Sequence, residues 1–294
     1  MSEAFGPELT TIRSPRVKAA RQLAKRALRM RARSFLAEGP QAVREALARG
    51  GVVSQLFITG AARARHAELA DEAARQGARV QAVSGEVMAE LAQTITPQGV
   101  LAVCRYVDIP LAHLAAAAPR LVVILASVRD PGNAGTVLRT ADAAGADGVI
   151  FTGASVDPYN SKCVRATAGS LFHLPLVVDV PVAEAVAAMR QAGLRILAAD
   201  GRAGTSLDEA GPDGPGGLLG GPTGWLFGNE AWGLPADVLA LADDVVAVPI
   251  YGQAESLNLA AAAAVCLYAS ARASRASGAG QEAPARAGGV PREQ

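Results

Sequence analysis

The stretch from which the fold is read runs RLVVILAS at residues 120–127, DPGNAGTVLRTADAAGADG at 130–148 and GVIF up to about 152. Its first run is apolar between its ends, the pattern of a strand buried on both faces of a parallel sheet. Gly and Pro then mark a turn, and Asn133 or Gly135 opens a helix that carries Arg139 one to two turns in. A strand that feeds a helix directly is where doubly wound α/β folds bind ligands, because the unpaired N–H groups at the helix start favour anions. On spacing alone, Arg139 is equally a surface arginine.

Downstream, LPLVV at 174–178, RILAA at 195–199, WLFG at 225–228 and VVAVP at 245–249 read as further strands with helices between most of them. The interval 201–224, rich in Gly, Pro and Asp, is too long for a turn and is expected to be a mobile loop near the site. In WLFGNEAWGLP the strand ends at Gly228 and is followed by Asn229, Glu230, Gly233 and Pro235. A glycine there marks the close approach of a ligand or of another backbone. In VPIYGQAESLNLAAAAAVCLY a strand ends at Pro249 and a loop delivers Ser256, Leu257 and Asn258 to an alanine-rich helix, with Ser256 as the expected N-cap. Three strand-end loops on one edge of a sheet would build a single pocket.

Upstream, Arg13, Arg16, Lys18, Arg21, Lys25, Arg26, Arg29, Arg31 and Arg33 fall in a stretch without an acid. Leu23, Ala24, Ala27, Leu28 and Met30 offer an apolar side at helical spacing, which predicts one helix with its cations on the other faces. That face is either merely solvated or made for a polyanion, and the absence of counter-charge favours the polyanion. Residues 34–39 read as a turn before a helix near 41–49. Then come a strand at 52–59, a helix near 62–76, the strand RVQAV, a helix capped by Ser84, and the strand GVLAVCRYV. This is a small α/β domain ending near Val107.

The whole chain of 294 residues is 50% hydrophobic, 19% charged and carries a formal net charge of +1. That composition builds cores and excludes a disordered protein. The weakly polar run at 257–271 is too short to span a bilayer, and the start lacks the pattern of a signal peptide. Cys104, Cys163 and Cys266 are far apart, with no C-x-x-C pair, so no disulfide framework or zinc site is indicated and a reducing cytoplasm is expected. His66, His113 and His173 are scattered, and His173 reads as structural. No phosphate loop and no G-x-G-x-x-G follow a strand, which excludes an ordinary NTPase or dinucleotide site.

These motifs, together with NSKCVRATAGSLFHLPL, resemble in their order the SpoU, or TrmH-like, RNA ribose 2′-O-methyltransferases of the SPOUT superfamily. RSFLAEGPQAVREAL and TITPQGVLAV resemble the small ribosomal-protein-like domain that rRNA-directed members carry. The resemblance implies an α/β fold: a C-terminal α/β knot (deep trefoil) methyltransferase domain at 120–272, a smaller N-terminal RNA-binding domain at 1–107, a linker at 108–119 and a disordered tail at 273–294. It implies S-adenosylmethionine as cofactor, RNA as partner, a homodimer and a cytoplasmic location. Gly228, Val248, Ile250 and Leu257 would hold the cofactor, the three apolar side chains enclosing adenine.

The same resemblance assigns Asn133, Arg139, Glu230, Ser256 and Asn258 to catalysis. Arg139 fits an orienting, charge-stabilising role better than that of a base, since a guanidinium stays protonated. Lys162 and Arg165 are implied RNA contacts beside Arg139, and Arg16, Arg21, Lys25 and Arg29 join them from the basic patch. Ala254 and Glu255 depart from the usual small polar residues, and the 201–224 loop looks lengthened, so the fit of the substrate is where this chain differs. The extra N-terminal domain favours large-subunit rRNA. By analogy alone, the GC-rich residue bias suggests protection of a bacterial ribosome against an antibiotic. A tRNA ribose methyltransferase, a base methyltransferase of the same class and a non-catalytic ribosome-assembly factor are the competing readings.

Overall fold

The computed structural model describes residues 6–211 and 217–276 and gathers their strands into two sheets. The first half runs β1 (Gly6–Leu9), α1 (Pro15–Gln22), α2 (Arg26–Ala32), β2 (Ser34–Glu38), α3 (Pro40–Arg49) and β3 (Val53–Ile58). It continues through α4 (Gly60–Arg65), α5 (Ala67–Arg75), β4 (Arg79–Val83), α6 (Gly85–Leu91) and β5 (Val100–Arg105). Its sheet has the order β1-β4-β3-β5-β2, parallel except where β5 meets β3 and β2. Thr59 and Ser84 cap the helices after β3 and β4, their hydroxyls accepting the N–H of Ala62 and Val87.

Three expectations for this half are corrected. Residues 34–38 are a strand, not a turn, because Phe35, Leu36 and Ala37 are buried and pair with β5. The helix expected near 62–76 is broken at His66 into α4 and α5. The single basic helix is two, separated at Leu23–Lys25, and its expected apolar side is largely inverted: Met30 is exposed while Arg29 is buried.

The second half runs α7 (Leu111–Ala116), β6 (Leu121–Leu125), α8 (Pro131–Ala144), β7 (Gly148–Thr152), α9 (Ser161–Ala166), a short 3-10 turn (Ser170–Phe172) and β8 (Leu176–Val180). Then follow α10 (Val182–Gln191), β9 (Arg195–Ala199), β10 (Thr205–Ser206), β11 (Thr223–Phe227), α11 (Ala236–Leu239), β12 (Asp244–Ala247) and α12 (Leu259–Ala276). All seven strands are parallel, in the order β10-β12-β9-β11-β6-β7-β8. Every residue of β6 and β11 is buried. Each large apolar side chain there stabilises the sheet by roughly 1.5–3 kcal/mol relative to exposure, so packing and the backbone ladder hold the centre without help from polar side chains at the strand ends. The polar residues at the strand ends are left to other uses.

Stretch 108–119 is tied down along much of its length. Asp108 bridges to Leu176, Ile109 donates to the Leu176 carbonyl, and Leu111 and Leu114 of α7 are buried. Nor is 201–224 loose throughout. β10 pairs with β12, and Leu207, Ala210, Leu218 and Leu219 are buried. Of the tail expected from 273, the first residues are helical, since Ala273 is buried and α12 continues to Ala276; 277–294 lie outside the described residues. Among the described residues, no helix is long and apolar enough to cross a membrane. Cys104, Cys163 and Cys266 are buried free thiols, and burial pushes the Cys266 thiol up to about 12.

The two halves share a joint. Arg29 donates to both Asp157 (3.0 and 2.5 Å) and the carbonyls of Leu23 and Ala24 (2.9 and 2.8 Å). Tyr159 stacks on Tyr106 at 3.8 Å between ring centres. Its hydroxyl accepts the N–H groups of Val107 and Asp108 and donates to the Asp108 carboxylate. His173 sits between Asp142 (2.8 Å) and Glu45 (3.1 Å), the structural role expected of it.

Candidate active site

Sheet order decides which loops meet. Because β11 is inserted between β6 and β9, with β12 on the far side of β9, Leu226 lies opposite both Ile124 and Ala198, and Val245 lies opposite Ala198. The strands are parallel, so the loops after β6, β9, β11 and β12 open from the same edge, the place where open α/β sheets bind ligands. Those after β9, β11 and β12 line a cavity of about 680 Å³, and the loop after β6 joins them at its rim, where Asp130 N–H and Asn133 bond to Glu230 and Asn258.

The loop after β6 enters α8 through Asp130. Its carboxylate accepts the Asn133 N–H at 2.7 Å, so Asp130 caps the helix and neither Asn133 nor Gly135 opens it. A hydrogen bond from Lys162 (2.8 Å), aided by the Asn133 N–H, holds the Asp130 carboxyl below its ordinary range. Gly135 is required by packing, since a Cβ there would lie 2.5 Å from the Cys163 carbonyl oxygen.

In the loop after β11, the open question at Gly228 is answered by a backbone: a Cβ would stand 2.5 Å from the Gly233 carbonyl and 2.7 Å from the Leu234 nitrogen. Asn229 and Gly233 exchange N–H···O bonds of 3.0 and 2.9 Å, which closes Glu230, Ala231 and Trp232 into a ring. Gly233 takes φ 71°, a conformation that costs glycine little. Buried Asn229 anchors the ring by donating to the Ser127 carbonyl at 2.9 Å.

Asn258, not Ser256, caps α12, its side-chain oxygen accepting the Ala260 N–H at 2.9 Å. Its amide nitrogen donates to Asn133 Oδ1 at 3.0 Å, and Asn133 Nδ2 donates to Glu230 Oε1 at 3.2 Å. One residue from each motif thus enters a single hydrogen-bonded chain at the cavity. Gly228, Val248, Ile250, Leu257, Glu230, Ser256 and Asn258 all line the cavity.

The remaining site residues are placed otherwise. Arg139 is exposed on α8, about 9 Å along the helix from Asn133, and is not among the lining residues. Lys162 is engaged by Asp130, and Arg165 stands 3.7 Å from Glu38, between α9 and β2. Arg16 donates to Gln81, Arg21 pairs with Glu90, and Lys25 is exposed. Arg29 is corrected: with 3% of its surface exposed and its donors spent on Asp157, Leu23 and Ala24, it has nothing to present to a polyanion.

Sequence reasoning missed Asp200, Arg202 and Trp232 on the cavity wall. Arg202 donates to the Asp200 carboxylate at 3.0 and 2.8 Å and holds it below the usual range. The readable signal was the strand end in RILAAD. Apolar Val248, Ile250 and Leu257 could flank a flat heteroaromatic ring. Among the described residues, the backbone N–H groups of Ile250 and Leu257 have no protein partner, so donors stand ready beside that wall. The chemistry of the wall therefore fits an adenosyl group.

Two family models match the chain: the SpoU rRNA Methylase family over residues 120–268 and the MRM3-like substrate binding domain over residues 14–102. The chain is 32% identical over 261 residues to the 23S rRNA (guanosine(2553)-2′-O)-methyltransferase RlmP of Bacillus subtilis, covering 89% of this chain and 98% of the relative. It is 34% identical over 255 residues to the 23S rRNA (uridine(2479)-2′-O)-methyltransferase of Streptomyces viridochromogenes, covering 85% and 86%. Its fold matches the AdoMet-bound rRNA methyltransferase from Sinorhizobium meliloti with a TM-score of 0.79 at 32% identity, over 92% of this chain and 98% of the other.

Proposed function

The chain belongs to the SpoU rRNA methylase family, and from that premise we infer that it is an enzyme that methylates a ribose 2′-hydroxyl of large-subunit rRNA. The observation that carries this reading is the chain of hydrogen bonds from Asn258 through Asn133 to Glu230 at the edge of one cavity. S-adenosylmethionine is the cofactor, and it supplies a sulfonium methyl group. Val248, Ile250 and Leu257 would enclose its adenine, and the backbone N–H groups of Ile250 and Leu257 would offer it hydrogen bonds. Gly228 keeps the floor narrow by admitting the Gly233 backbone.

Methyl transfer to a hydroxyl needs an aligned approach and help in losing the proton. Asn133 and Asn258 orient each other and the Glu230 carboxylate, and Ser256 adds a hydroxyl at the same rim. Arg139 stabilises developing negative charge and orients the ribose phosphate, remaining protonated throughout.

Arg139 reaches a cavity when a second copy docks along α8 and α12. Ala261, Val265 and Tyr268 form an exposed stripe at helical spacing, and α12 packs beside α8. The functional unit in this reading is a homodimer, and the segment after β12 is threaded as a deep trefoil knot. Exposed Arg13, Lys18, Lys25, Arg26 and Arg31, with Arg16, Arg21 and Arg33 beside them, form the face that meets RNA phosphates. Arg165 and Lys162 border that RNA at the joint. Residues 1–107 act as the RNA-binding domain and 120–272 as the methyltransferase, working in the cytoplasm on its substrate.

The test is incubation with labelled S-adenosylmethionine and separate pools of unmethylated 23S rRNA and tRNA, followed by mass-spectrometric location of the methyl group. A ribose methyl at one 23S rRNA position is expected. A methyl on a base, or transfer to tRNA alone, would replace the substrate assignment, and no transfer to either would overturn the catalytic reading.

A further inference from the structure

Ribose chemistry is the same at every nucleotide, so a ribose methylating site needs a separate grip on the base to hold one nucleotide in line. The cavity rim carries a group suited to that grip. Trp232 is 51% exposed and lines the cavity, and the Arg129 guanidinium lies 5.1 Å from its ring centre. Arg129 is itself exposed and, among the described residues, pairs with no carboxylate. The two flat cationic and aromatic groups come from different loops, those after β6 and β11.

Their placement is fixed by the backbone. Trp232 sits in the ring closed by Asn229 and Gly233, and Asn229 anchors that ring to Ser127, two residues before Arg129. A large ring held at a cavity mouth without apolar cover is preorganised for a ligand with a π-face. Bases drawn out of their stack are gripped in this way, on aromatic rings and on guanidinium planes. Glu230 lies two residues away in the same ring, so a ribose beside Glu230 places its base within reach of Trp232.

We propose that Trp232, seconded by Arg129, is the stacking platform for the base of the nucleotide whose ribose is methylated. The inference rests on the ribose methyl transfer proposed above. The platform is tolerant of base identity, since every base has a π-face, and it sets geometry more than choice of sequence.

The experiment uses the full chain, with W232A, W232F and R129A compared with wild type on unmethylated 23S rRNA. W232A is expected to raise the KM for RNA by roughly ten- to a hundredfold, the range for loss of one stacked base. W232F should recover most of that loss, R129A should cost less than W232A, and the Kd for S-adenosylmethionine should stay within about twofold of wild type. A second readout is tryptophan emission. The chain has two tryptophans, and Trp225 is fully buried. A single-stranded oligoribonucleotide should quench wild type saturated with S-adenosylmethionine and leave W232F unchanged.

An unaltered KM in W232A, equal damage in W232A and W232F, or a shift in sedimentation of W232A in place of an RNA effect would each overturn the platform. If wild type itself transfers no methyl to 23S rRNA, the functional reading fails first, and the emission experiment still decides whether Trp232 meets RNA.

Discussion

Two strand-end loops of the N-terminal sheet are capped within their own turns, whereas the loops of the C-terminal sheet add to such caps a chain of bonds that runs from one loop to the next. Thr59 and Ser84 cap helices within their own turns. Asn133, Glu230 and Asn258 instead bond across three loops that are far apart in sequence. Local caps stabilise a scaffold one helix at a time. Bonds between loops hold side chains of different origin in one arrangement, and this is what a reaction centre requires.

The largest effect should come from breaking the joint between the two regions. Arg29→Ala leaves the buried Asp157 carboxylate without its partner, and the expected loss is about 3–5 kcal/mol in urea denaturation. A loss below about 1 kcal/mol would place Arg29 among ordinary surface cations. Next, Asn133→Ala should lower kcat about a hundredfold through misplacement of Glu230. The same variant should change stability by only about 1 kcal/mol, because the site is largely exposed. Equal losses of stability and activity would mean that the network is structural.

The reverse pattern is expected at Ser84→Ala, with about 1 kcal/mol lost from stability and kcat unchanged. A fall in kcat there would erase the contrast between the sheets. The smallest effect belongs to His173. Its hydrogen bond to Asp142, and then that to Glu45, raises its pKa above the ordinary value. The clamp is therefore fully present below about pH 6.5 and is lost as pH rises through the raised value. Thermal melts of H173Q and wild type should differ most at about pH 6 and converge in alkaline buffer. A gap that widened with pH would contradict the bridging role.

The C-terminal sheet was legible because β6 and its neighbours are buried on both faces and read as continuous apolar runs. The three motifs were legible as one site for the same reason, since parallel strands put their loops on one edge. β2 was not, because SFLAE becomes a strand only through pairing with β5, whose residues lie more than sixty positions later. Arg29 was misplaced because its partner, Asp157, is 128 residues away. The cap at Asp130 was hidden among several residues able to open a helix. Trp232 carried no signal at all, since its nearness to Arg129 is a property of two loops and not of either alone.

The closed ring of Asn229 and Gly233 has a consequence for the history of such enzymes. Its base is held by backbone bonds and by the close fit at Gly228, so a substitution at the tip changes a side chain without disturbing the fold beneath. A different grip on the base then requires little more than a changed residue beside Glu230, with the methyl-donor chamber inherited intact.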